Sequence, residues 1–263
     1  MSDTPVLMEV TDRIATITLN RPEARNALSG EVLRLLPEVM LQADADADVA
    51  VIILTGADPA FCAGLDLKEL GTSGALLGND TGASGGRNRY GVRGPFPALS
   101  KPLIGAINGV AVTGGLELAL NCDFLIASER ARFGDTHARV GVMPGWGLTL
   151  LLPQAIGVRR AREMSFSGNF LTADEAFQWG LVNRVVPHDE LMPTTRQVAM
   201  DIAGNDRAGV RQIRSTYAEI AHDETAWEIE ARDSGAWRRA QFDPTKVAER
   251  RAAITERGRG QGA

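Results

Sequence analysis

The chain has 263 residues, of which 44% are hydrophobic, so it can bury a sizeable core and is not a disordered polypeptide. Its net charge of −5 and its scattered basic residues argue against nucleic acid as a partner, and its apolar runs are too short to cross a membrane. The two cysteines, Cys62 and Cys122, cannot form a disulfide framework, and neither is spaced with a histidine as metal ligands are.

The N-terminal part of the chain predicts a hairpin followed by a helix. The first residues lack the basic and apolar segments of a secretory signal, so we expect a cytoplasmic location. Residues 14–19 alternate in the manner of a half-buried strand, and the turn residues 20–22 end it. Ser29 can cap a helix over residues 30–43, in which Pro37 should introduce a kink.

Three later apolar runs predict a buried parallel sheet, because they are nearly continuous and are separated by helical or loop sequence. They cover residues 51–55, 103–112 and 124–127. Residues 71–94, which lie among them, are rich in glycine, serine and asparagine and have no periodicity. That composition indicates a mobile surface loop or lid.

From Leu148 onward the pattern is mostly helical, and one further strand is predicted at residues 182–186. A change from alternating strands and helices to helices alone is typical of a core followed by a packing or assembly module. We place the core at residues 1–195 and the helical module at residues 196–263. The predicted helices cover residues 161–167, 172–179, 189–203, 207–222, 225–240 and 245–257.

A pair of glycines, Gly114 and Gly115, precedes Glu117 where an apolar run turns into a helix. Glycine takes backbone conformations that other residues resist, and the first amides of a helix have no acceptor within that helix. Such amides can bind an oxygen that carries negative charge, and the helix dipole would stabilise the charge. We therefore predict the chemistry at this turn, with Glu117 close to the bound oxygen. The alternative is a carboxylate that is only stabilised by the start of its helix.

A second glycine-bearing turn, at Ala63 and Gly64, has the same form. It follows the run at residues 51–55, and a helix with Asp66 in its first turn comes next, so the Leu65 amide can be a second free donor. If the two turns lie on neighbouring strands, they can hold one carbonyl oxygen between them. Either turn alone could instead be an ordinary glycine turn of an α/β sheet.

Several segments, in this order and spacing, carry a family resemblance. They are Asn20-Arg-Pro-Glu-Ala-Arg-Asn-Ala-Leu28, Phe61-Cys-Ala-Gly-Leu-Asp-Leu67, Ala106-Ile-Asn-Gly-Val-Ala-Val-Thr-Gly-Gly-Leu-Glu-Leu-Ala119, Cys122-Asp123, Phe133-Gly134 and Gly180-Leu-Val-Asn-Arg-Val-Val186. The chain thereby resembles the enoyl-CoA hydratase/isomerase, or crotonase, superfamily over about residues 10 to 190.

This resemblance implies an α/β fold in which a crotonase-like spiral of ββα units precedes a C-terminal all-helical assembly module. It implies an acyl-CoA thioester as ligand and an oxyanion hole built from the backbone amides of Leu65 and Gly114. No cofactor is expected, since coenzyme A is part of the substrate. The C-terminal helices are expected to close the site and to assemble a homotrimer or a dimer of trimers.

The chain departs from the hydratase pattern at one position. Similar hydratases use two glutamates, the first at the position of Glu117 and the second where this chain has His137. Phe133 and Gly134 keep the register, so a shifted glutamate does not explain the change, and the nearest carboxylate is Asp135. Adding water across a double bond needs a base and an acid, and histidine can serve as either near neutral pH. Glu117 can be the base and His137 the acid, or the reverse; alternatively, His137 only positions the ligand or packs.

Several further residues are candidates for binding coenzyme A. Similar proteins carry a basic group that contacts the CoA phosphates at the position of Arg25, which is otherwise a solvated turn residue. The late lysine of the family does not align cleanly, and Lys246 is a guess. Trp146 is either an apolar wall of the acyl pocket or a core residue. Four residues follow the path expected for the nucleotide or the pantetheine: Ala63, Asp66, Leu67 and Lys68.

The expected reaction is the hydration of a 2-enoyl-CoA to a 3-hydroxyacyl-CoA. The same oxyanion site also allows double-bond isomerisation, which needs one base, and decarboxylation or C–C cleavage of an acyl-CoA. A function of a different class is also open: because the second glutamate is missing, the protein could be a non-catalytic subunit that binds acyl-CoA.

Overall fold

The computed structural model describes residues 4–73, 75–78, 81–83 and 86–261. The predicted N-terminal hairpin is confirmed, since β1 (Val6–Thr11) pairs antiparallel with β2 (Ile14–Leu19). Across the residues that the structure describes, none of the helices combines the length and apolar character that crossing a membrane requires.

The predicted N-terminal helix is α1 (Gly30–Ala45), two residues longer than expected. The hydroxyl of Ser29 caps it by accepting a hydrogen bond from the Val32 N–H at 3.3 Å. Pro37 lies inside α1 with its side chain buried, and the helix continues through it. The apolar face of α1, which includes Met40, packs into the main core.

A six-stranded sheet forms the first layer of the core, in the order β1-β2-β3-β5-β7-β10. All neighbouring strands except the β1–β2 hairpin are parallel, as the continuous apolar runs predict. Its later strands are β3 (Val51–Gly56), β5 (Leu103–Ile107), β7 (Phe124–Ser128) and β10 (Arg184–Val186).

A second sheet of four strands has the order β4-β6-β8-β9. The single strand predicted at residues 103–112 is therefore wrong, because the chain leaves the first sheet after Ile107 and enters the second at Val110. Asn108 makes this crossing: its side chain donates to Asp58 Oδ1 at 2.8 Å and accepts from the Gly56 N–H at 3.3 Å. The strands are β4 (Ala60–Cys62), β6 (Val110–Val112), β8 (Arg132–Gly134) and β9 (Leu171–Thr172).

The two sheets and three short helices repeat one arrangement along the chain. A strand in the first sheet is followed by a strand in the second and then by a helix, which gives the units β3-β4-α2, β5-β6-α3 and β7-β8-α4. These units are the predicted ββα spiral. The helices are α2 (Leu67–Ser73), α3 (Gly114–Leu120) and α4 (His137–Val140).

The remaining helices agree with the predicted ones to within four residues, except α5, which none of the predicted ranges covers. α8 packs on the first sheet, and α11 folds back onto α2. They are α5 (Leu148–Ile156), α6 (Val158–Ser167), α7 (Ala173–Trp179), α8 (Leu191–Ala203), α9 (Arg207–Ala221), α10 (Glu224–Gln241) and α11 (Pro244–Gln261).

The prediction of a surface loop at residues 71–94 is partly wrong. α2 extends to Ser73, and the side chains of Leu76, Leu77 and Ala83 are buried in the main core. Apolar burial holds this part of the segment against the body of the protein. Residues 74, 79, 80, 84 and 85 of the predicted loop lie outside the described residues.

Candidate active site

The two glycine turns lie side by side. β4 and β6, which lead into them, are parallel neighbours in the second sheet. Gly64 has a φ of +82°, and a Cβ atom on it would lie 3.0 Å from the carbonyl oxygen of Val112 and 3.2 Å from the amide nitrogen of Gly114. The first turn therefore follows β4 directly and not β3, and it touches the second turn through the backbone.

The pairing of the first turn fixes the direction in which Leu65 can donate. Leu28 donates to the Gly64 carbonyl at 2.8 Å and accepts from the Asp66 N–H at 3.0 Å. Leu28 and Leu65 thus form a parallel bridge in which Leu28 bonds to the two neighbours of Leu65. In this pattern, the N–H of Leu65 itself points away from Leu28. Leu65 and Gly114 both line one cavity of about 540 Å³. Both predicted donors are thus brought together at one site.

Gly115 brings the start of α3 against β4. A Cβ atom on Gly115 would overlap the carbonyl group of Cys62, so only glycine allows this approach. Both glycines of the pair are buried, and Glu117 follows one turn later on the same helix. The glycine pair therefore allows Glu117 to lie beside the first turn.

Glu117 is 3% exposed and does not point into bulk water. Its Oε1 accepts hydrogen bonds from the backbone N–H groups of Gly145, at 3.2 Å, and Trp146, at 2.8 Å. Its Oε2 lies 3.3 Å from Nε2 of His137. One carboxylate oxygen is thus anchored by the backbone, and the other remains for acid–base chemistry.

His137 lies between two carboxylates. Its Nδ1 is 2.7 Å from Oδ1 of Asp135, which also accepts the backbone N–H of His137 at 3.1 Å. Burial lowers the pKa of His137, but the charges of Asp135 and then of Glu117 outweigh burial and raise that pKa to about 10. Burial raises the pKa of Asp135, but its interactions with His137 outweigh this and lower it. The two carboxylates therefore favour the protonated form of the ring.

The predicted coenzyme A residues all line the cavity, although one of them is engaged elsewhere. Asp66 does not stand free in the first turn of α2: it precedes the helix, accepts the Lys68 N–H at 3.0 Å and forms an ion pair with Arg21 at 3.1 Å. Arg25, an exposed residue that lines the same cavity, has a left-handed backbone with φ of +51°. The residues predicted for this role and found in the lining are Arg25, Ala63, Asp66, Leu67 and Lys68.

Trp146 is both a wall of the cavity and a core residue. It is 2% exposed, lines the cavity and donates from its indole Nε1 to the Thr81 carbonyl at 2.9 Å. The basic residues that α11 contributes to the lining of this chain's cavity are Arg251 and Arg259. Lys246, guessed as a group supplied to a neighbouring subunit, stays a prediction.

Sequence reasoning missed two parts of this site. Asp135 has no predicted role, although an Asp two residues before a His is a spacing that lets the carboxylate reach Nδ1. The backbone donors at residues 145 and 146 were also missed, since no side-chain type marks a backbone N–H that points at a carboxylate. Both depend on how α4 and the following loop turn back towards α3.

A second chain of polar residues has the composition of a hydrolase triad but cannot act as one. Nδ1 of His188 lies 3.0 Å from the Ser128 hydroxyl, and Nε2 lies 3.0 Å from Oδ2 of Asp58. The Ser128 side chain is completely buried and already accepts the Arg130 N–H at 3.1 Å. No substrate carbonyl can reach this hydroxyl, so the chain of contacts holds β7 to the turn before β4.

Comparisons with known proteins agree with this site. A family model described as enoyl-CoA hydratase/isomerase matches residues 9–252. A probable peroxisomal enoyl-CoA hydratase 1 of Arabidopsis thaliana is 41% identical over 204 residues, which cover 77% of this chain and 74% of that protein. A short-chain-enoyl-CoA hydratase of Clostridium acetobutylicum is 37% identical over 207 residues, 78% of each chain.

The fold also matches solved structures of enoyl-CoA hydratases. The crystal structure of an enoyl-CoA hydratase from Mycobacterium tuberculosis H37Rv superposes with a TM-score of 0.81 at 47% identity, covering 90% of this chain and 100% of that one. A crystal structure of an enoyl-CoA hydratase from Mycobacterium smegmatis superposes with a TM-score of 0.80 at 48% identity, covering 90% of this chain and 99% of that one. Together with the ββα spiral and the paired glycine turns, these matches show that the chain belongs to the enoyl-CoA hydratase/isomerase, or crotonase, family.

Proposed function

We propose that this protein adds water to a 2-enoyl-CoA and forms a 3-hydroxyacyl-CoA. The observation that carries the proposal is the Glu117–His137 pair, with 3.3 Å between Oε2 and Nε2, in the same cavity as Leu65 and Gly114. The relatives from Arabidopsis thaliana and Clostridium acetobutylicum are named enoyl-CoA hydratases, which supports the same reaction here.

The backbone amides of Leu65 and Gly114 bind the thioester oxygen in this proposal. Addition of hydroxide to the β-carbon moves negative charge onto that oxygen, and two donors fixed in place stabilise the enolate without reorganising. Loss of one such donor typically costs about 10²- to 10³-fold in turnover. The contact between the Gly64 and Gly114 backbones supports a common oxygen for the two amides.

Glu117 acts as the base and His137 as the acid. Oε2 of Glu117 takes a proton from water, and the hydroxide adds to the β-carbon. The imidazolium of His137 then donates its Nε2 proton to the α-carbon. The reverse assignment needs a neutral imidazole at the start, which is disfavoured because the pKa of His137 is raised to about 10.

The same two residues restore the starting state. After one turnover, Glu117 holds the proton from water and His137 has given up its own. These groups face each other directly across 3.3 Å, so the proton can pass from Oε2 to Nε2. Asp135 favours this return, because its carboxylate stabilises the imidazolium from the other side of the ring. No further cofactor enters the reaction, since coenzyme A is part of the substrate.

The test is incubation of the purified protein with crotonyl-CoA, followed by the absorbance of the conjugated thioester and the mass of the product. Hydration predicts loss of that absorbance and a gain of one water. Glu117→Ala should abolish both while CoA esters still bind. If wild type and mutant leave every acyl-CoA unchanged and bind these esters equally, the protein is a binding subunit and the proposal is wrong.

Isomerisation is the second candidate, favoured by Oε2 of Glu117, which faces His137 instead of the backbone donors and can carry a proton between the α- and γ-carbons without any water. The same preparation distinguishes the two reactions. Turnover of a 3-enoyl-CoA together with an unchanged absorbance of crotonyl-CoA would support isomerisation and exclude hydration.

We also propose that residues 196–263 form a module that closes the site and assembles the protein into a homotrimer or a dimer of trimers. Closure is supported by α11, whose residues line the cavity. Assembly is supported by the exposed apolar stripe of α9, made of Ile213, Tyr217 and Ile220, which share one helix face. Light scattering after size exclusion tests assembly, and Tyr217→Glu should lower the measured mass towards that of the monomer.

The proposed location is cytoplasmic, although one relative is named peroxisomal. Fractionation of cells that express the untagged chain tests this directly, with recovery in the membrane or organelle fraction as the contrary result.

A further inference from the structure

A buried carboxylate lies outside the reacting pair, in the C-terminal helices. Glu230 of α10 is 5% exposed and does not line the cavity. Its Oε1 accepts the Gly147 N–H at 2.7 Å, and its Oε2 accepts the Thr149 N–H at 2.9 Å and the Thr149 hydroxyl. Burial and the charge of Glu117 raise the pKa of Glu230, while these three donors oppose the shift. A carboxylate is costly to bury, so its partners indicate what it holds in place.

The segment that Glu230 holds is the one that anchors Glu117. The N–H groups of residues 145 and 146 point at Oε1 of Glu117, and those of residues 147 and 149 point at Glu230. Asn121 adds a third contact, since its Nδ2 donates to the carbonyls of both Glu117 and Trp146 at 2.8 Å. Five consecutive residues are thus held between two carboxylates, one on α3 and one on α10.

Side-chain packing on α10 also sets the position of this segment. Gly147 has a φ of +91°, and a Cβ atom on it would overlap the ring of Trp227. Trp227, Glu230 and Ser234 are the buried residues of α10 and recur at the spacing of one helix face. The face of α10 that carries Glu230 therefore fits the backbone of this turn and leaves it little room to move.

We propose that Glu230 is a positioning residue that fixes the carboxylate of Glu117 through the backbone of residues 145–149. The inference rests on the proposed hydratase function and extends it, since it makes the C-terminal helices part of the acid–base geometry. Glu230 does not line the cavity, so its loss should impair proton transfer and spare binding. A purely structural residue would affect only stability.

The experiment compares Glu230→Gln with Glu228→Gln, a matched change at an exposed position of the same helix. We expect kcat of Glu230→Gln on crotonyl-CoA to fall about 10- to 100-fold with KM changed less than about twofold, because small misplacements of reacting groups are costly. Glu228→Gln should match wild type. Thr149→Val, which removes only the hydroxyl donor, should show a smaller loss of kcat and covers the case in which Glu230→Gln does not fold.

A second measurement does not depend on turnover. The ring protons of His137 in the NMR spectrum report its pKa, which Glu117 helps to raise. If Glu117 moves away, this pKa falls in Glu230→Gln and not in Glu228→Gln. That result supports positioning even if wild type fails to hydrate crotonyl-CoA, which would refute only the proposed function. An active wild type, with unchanged kcat and unchanged His137 pKa in both Glu230→Gln and Thr149→Val, overturns the inference, whatever happens to the melting temperature.

Discussion

Nδ1 of His137 lies 2.7 Å from Oδ1 of Asp135, on the opposite side of the ring from Glu117. This contact favours a proton on Nδ1 and directs Nε2 towards the carboxylate of Glu117. Because the Asp135 charge is the main cause that raises the pKa of His137, the proposed mechanism treats the two residues as one acid.

Asp135→Asn should therefore move the alkaline limit of activity. In wild type, kcat/KM is expected to decline only near pH 10, where the imidazolium is lost. Without the Asp135 charge the pKa of His137 falls, and the decline moves towards neutral pH. A pH profile of kcat/KM measures this, with the exposed Asp189→Asn as control. Identical alkaline limits in all three proteins would remove His137 as the acid.

His137 also links stability to pH. Its pKa is about 10 in the folded protein and about 6.5 when unfolded, so the folded state holds its proton more tightly. The stability that this adds is fully present below about pH 6.5 and is lost as the pH rises towards 10. The difference in unfolding free energy between wild type and His137→Gln should shrink accordingly in urea titrations. A difference in unfolding free energy that grows with pH would contradict this prediction. His222→Gln, at an exposed position, is the control.

Glu117→Gln should remove the base and keep the architecture. The amide oxygen can still accept the N–H groups of Gly145 and Trp146, so folding and ligand binding are expected to remain. Loss of a general base lowers kcat by about 10²- to 10⁴-fold. Steady-state kinetics measures the loss, and Glu163→Gln on the exposed face of α6 should have none. Turnover above a tenth of the wild-type rate would place the base elsewhere.

Gly115→Ala should disturb the start of α3, because its new methyl group overlaps the Cys62 carbonyl. Overpacking of this kind costs about 1–3 kcal/mol and here moves the oxyanion turn as well. Both the urea midpoint and kcat are expected to fall. Gly260→Ala, where a Cβ atom meets nothing within 4 Å, should be neutral. Equal effects of the two changes would show that the close approach is unimportant.

Met143→Ala should widen the range of acyl chains. Met143 lines both the main cavity and a small cavity behind it, together with Leu77, Ala83 and Val142. Shortening its side chain opens the wall between them, so kcat/KM for longer enoyl-CoA esters should rise relative to crotonyl-CoA. A series of chain lengths measures the ratio, and an unchanged ratio would place the end of the acyl pocket elsewhere.

Much of the fold follows from local pattern. Continuous apolar runs predicted the parallel strands, because strands buried on both faces have no polar side. The run at residues 103–112 predicted one strand where the structure has two, because an apolar run does not show where the chain passes from one sheet to the other. That crossing depends on the contacts of Asn108 with Gly56 and Asp58, which come from distant parts of the chain.

For the site, as for the fold, the features that depend on local sequence could be predicted and those that depend on distant contacts could not. The glycine turns and Glu117 could be located because backbone freedom and free helix amides are local properties. The charge of His137 could not be predicted from the sequence, since its pKa depends on Asp135 and Glu117, which lie on opposite sides of the ring in the folded protein. Glu230 gave no signal, because an acidic residue on a polar helix resembles any solvated one until its partners at residues 147 and 149 are known.

β4 and β6 are adjacent strands, so the gap between the two donor turns is set by the interstrand distance, which is about 4.8 Å in any sheet. Side-chain replacements that do not press on the two turns leave that distance unaltered. In the proposed function, the groups that move protons can therefore be exchanged while the two amides still bind the thioester oxygen. An engineer seeking a new reaction from this scaffold should vary position 137 and its neighbours first and leave both turns intact.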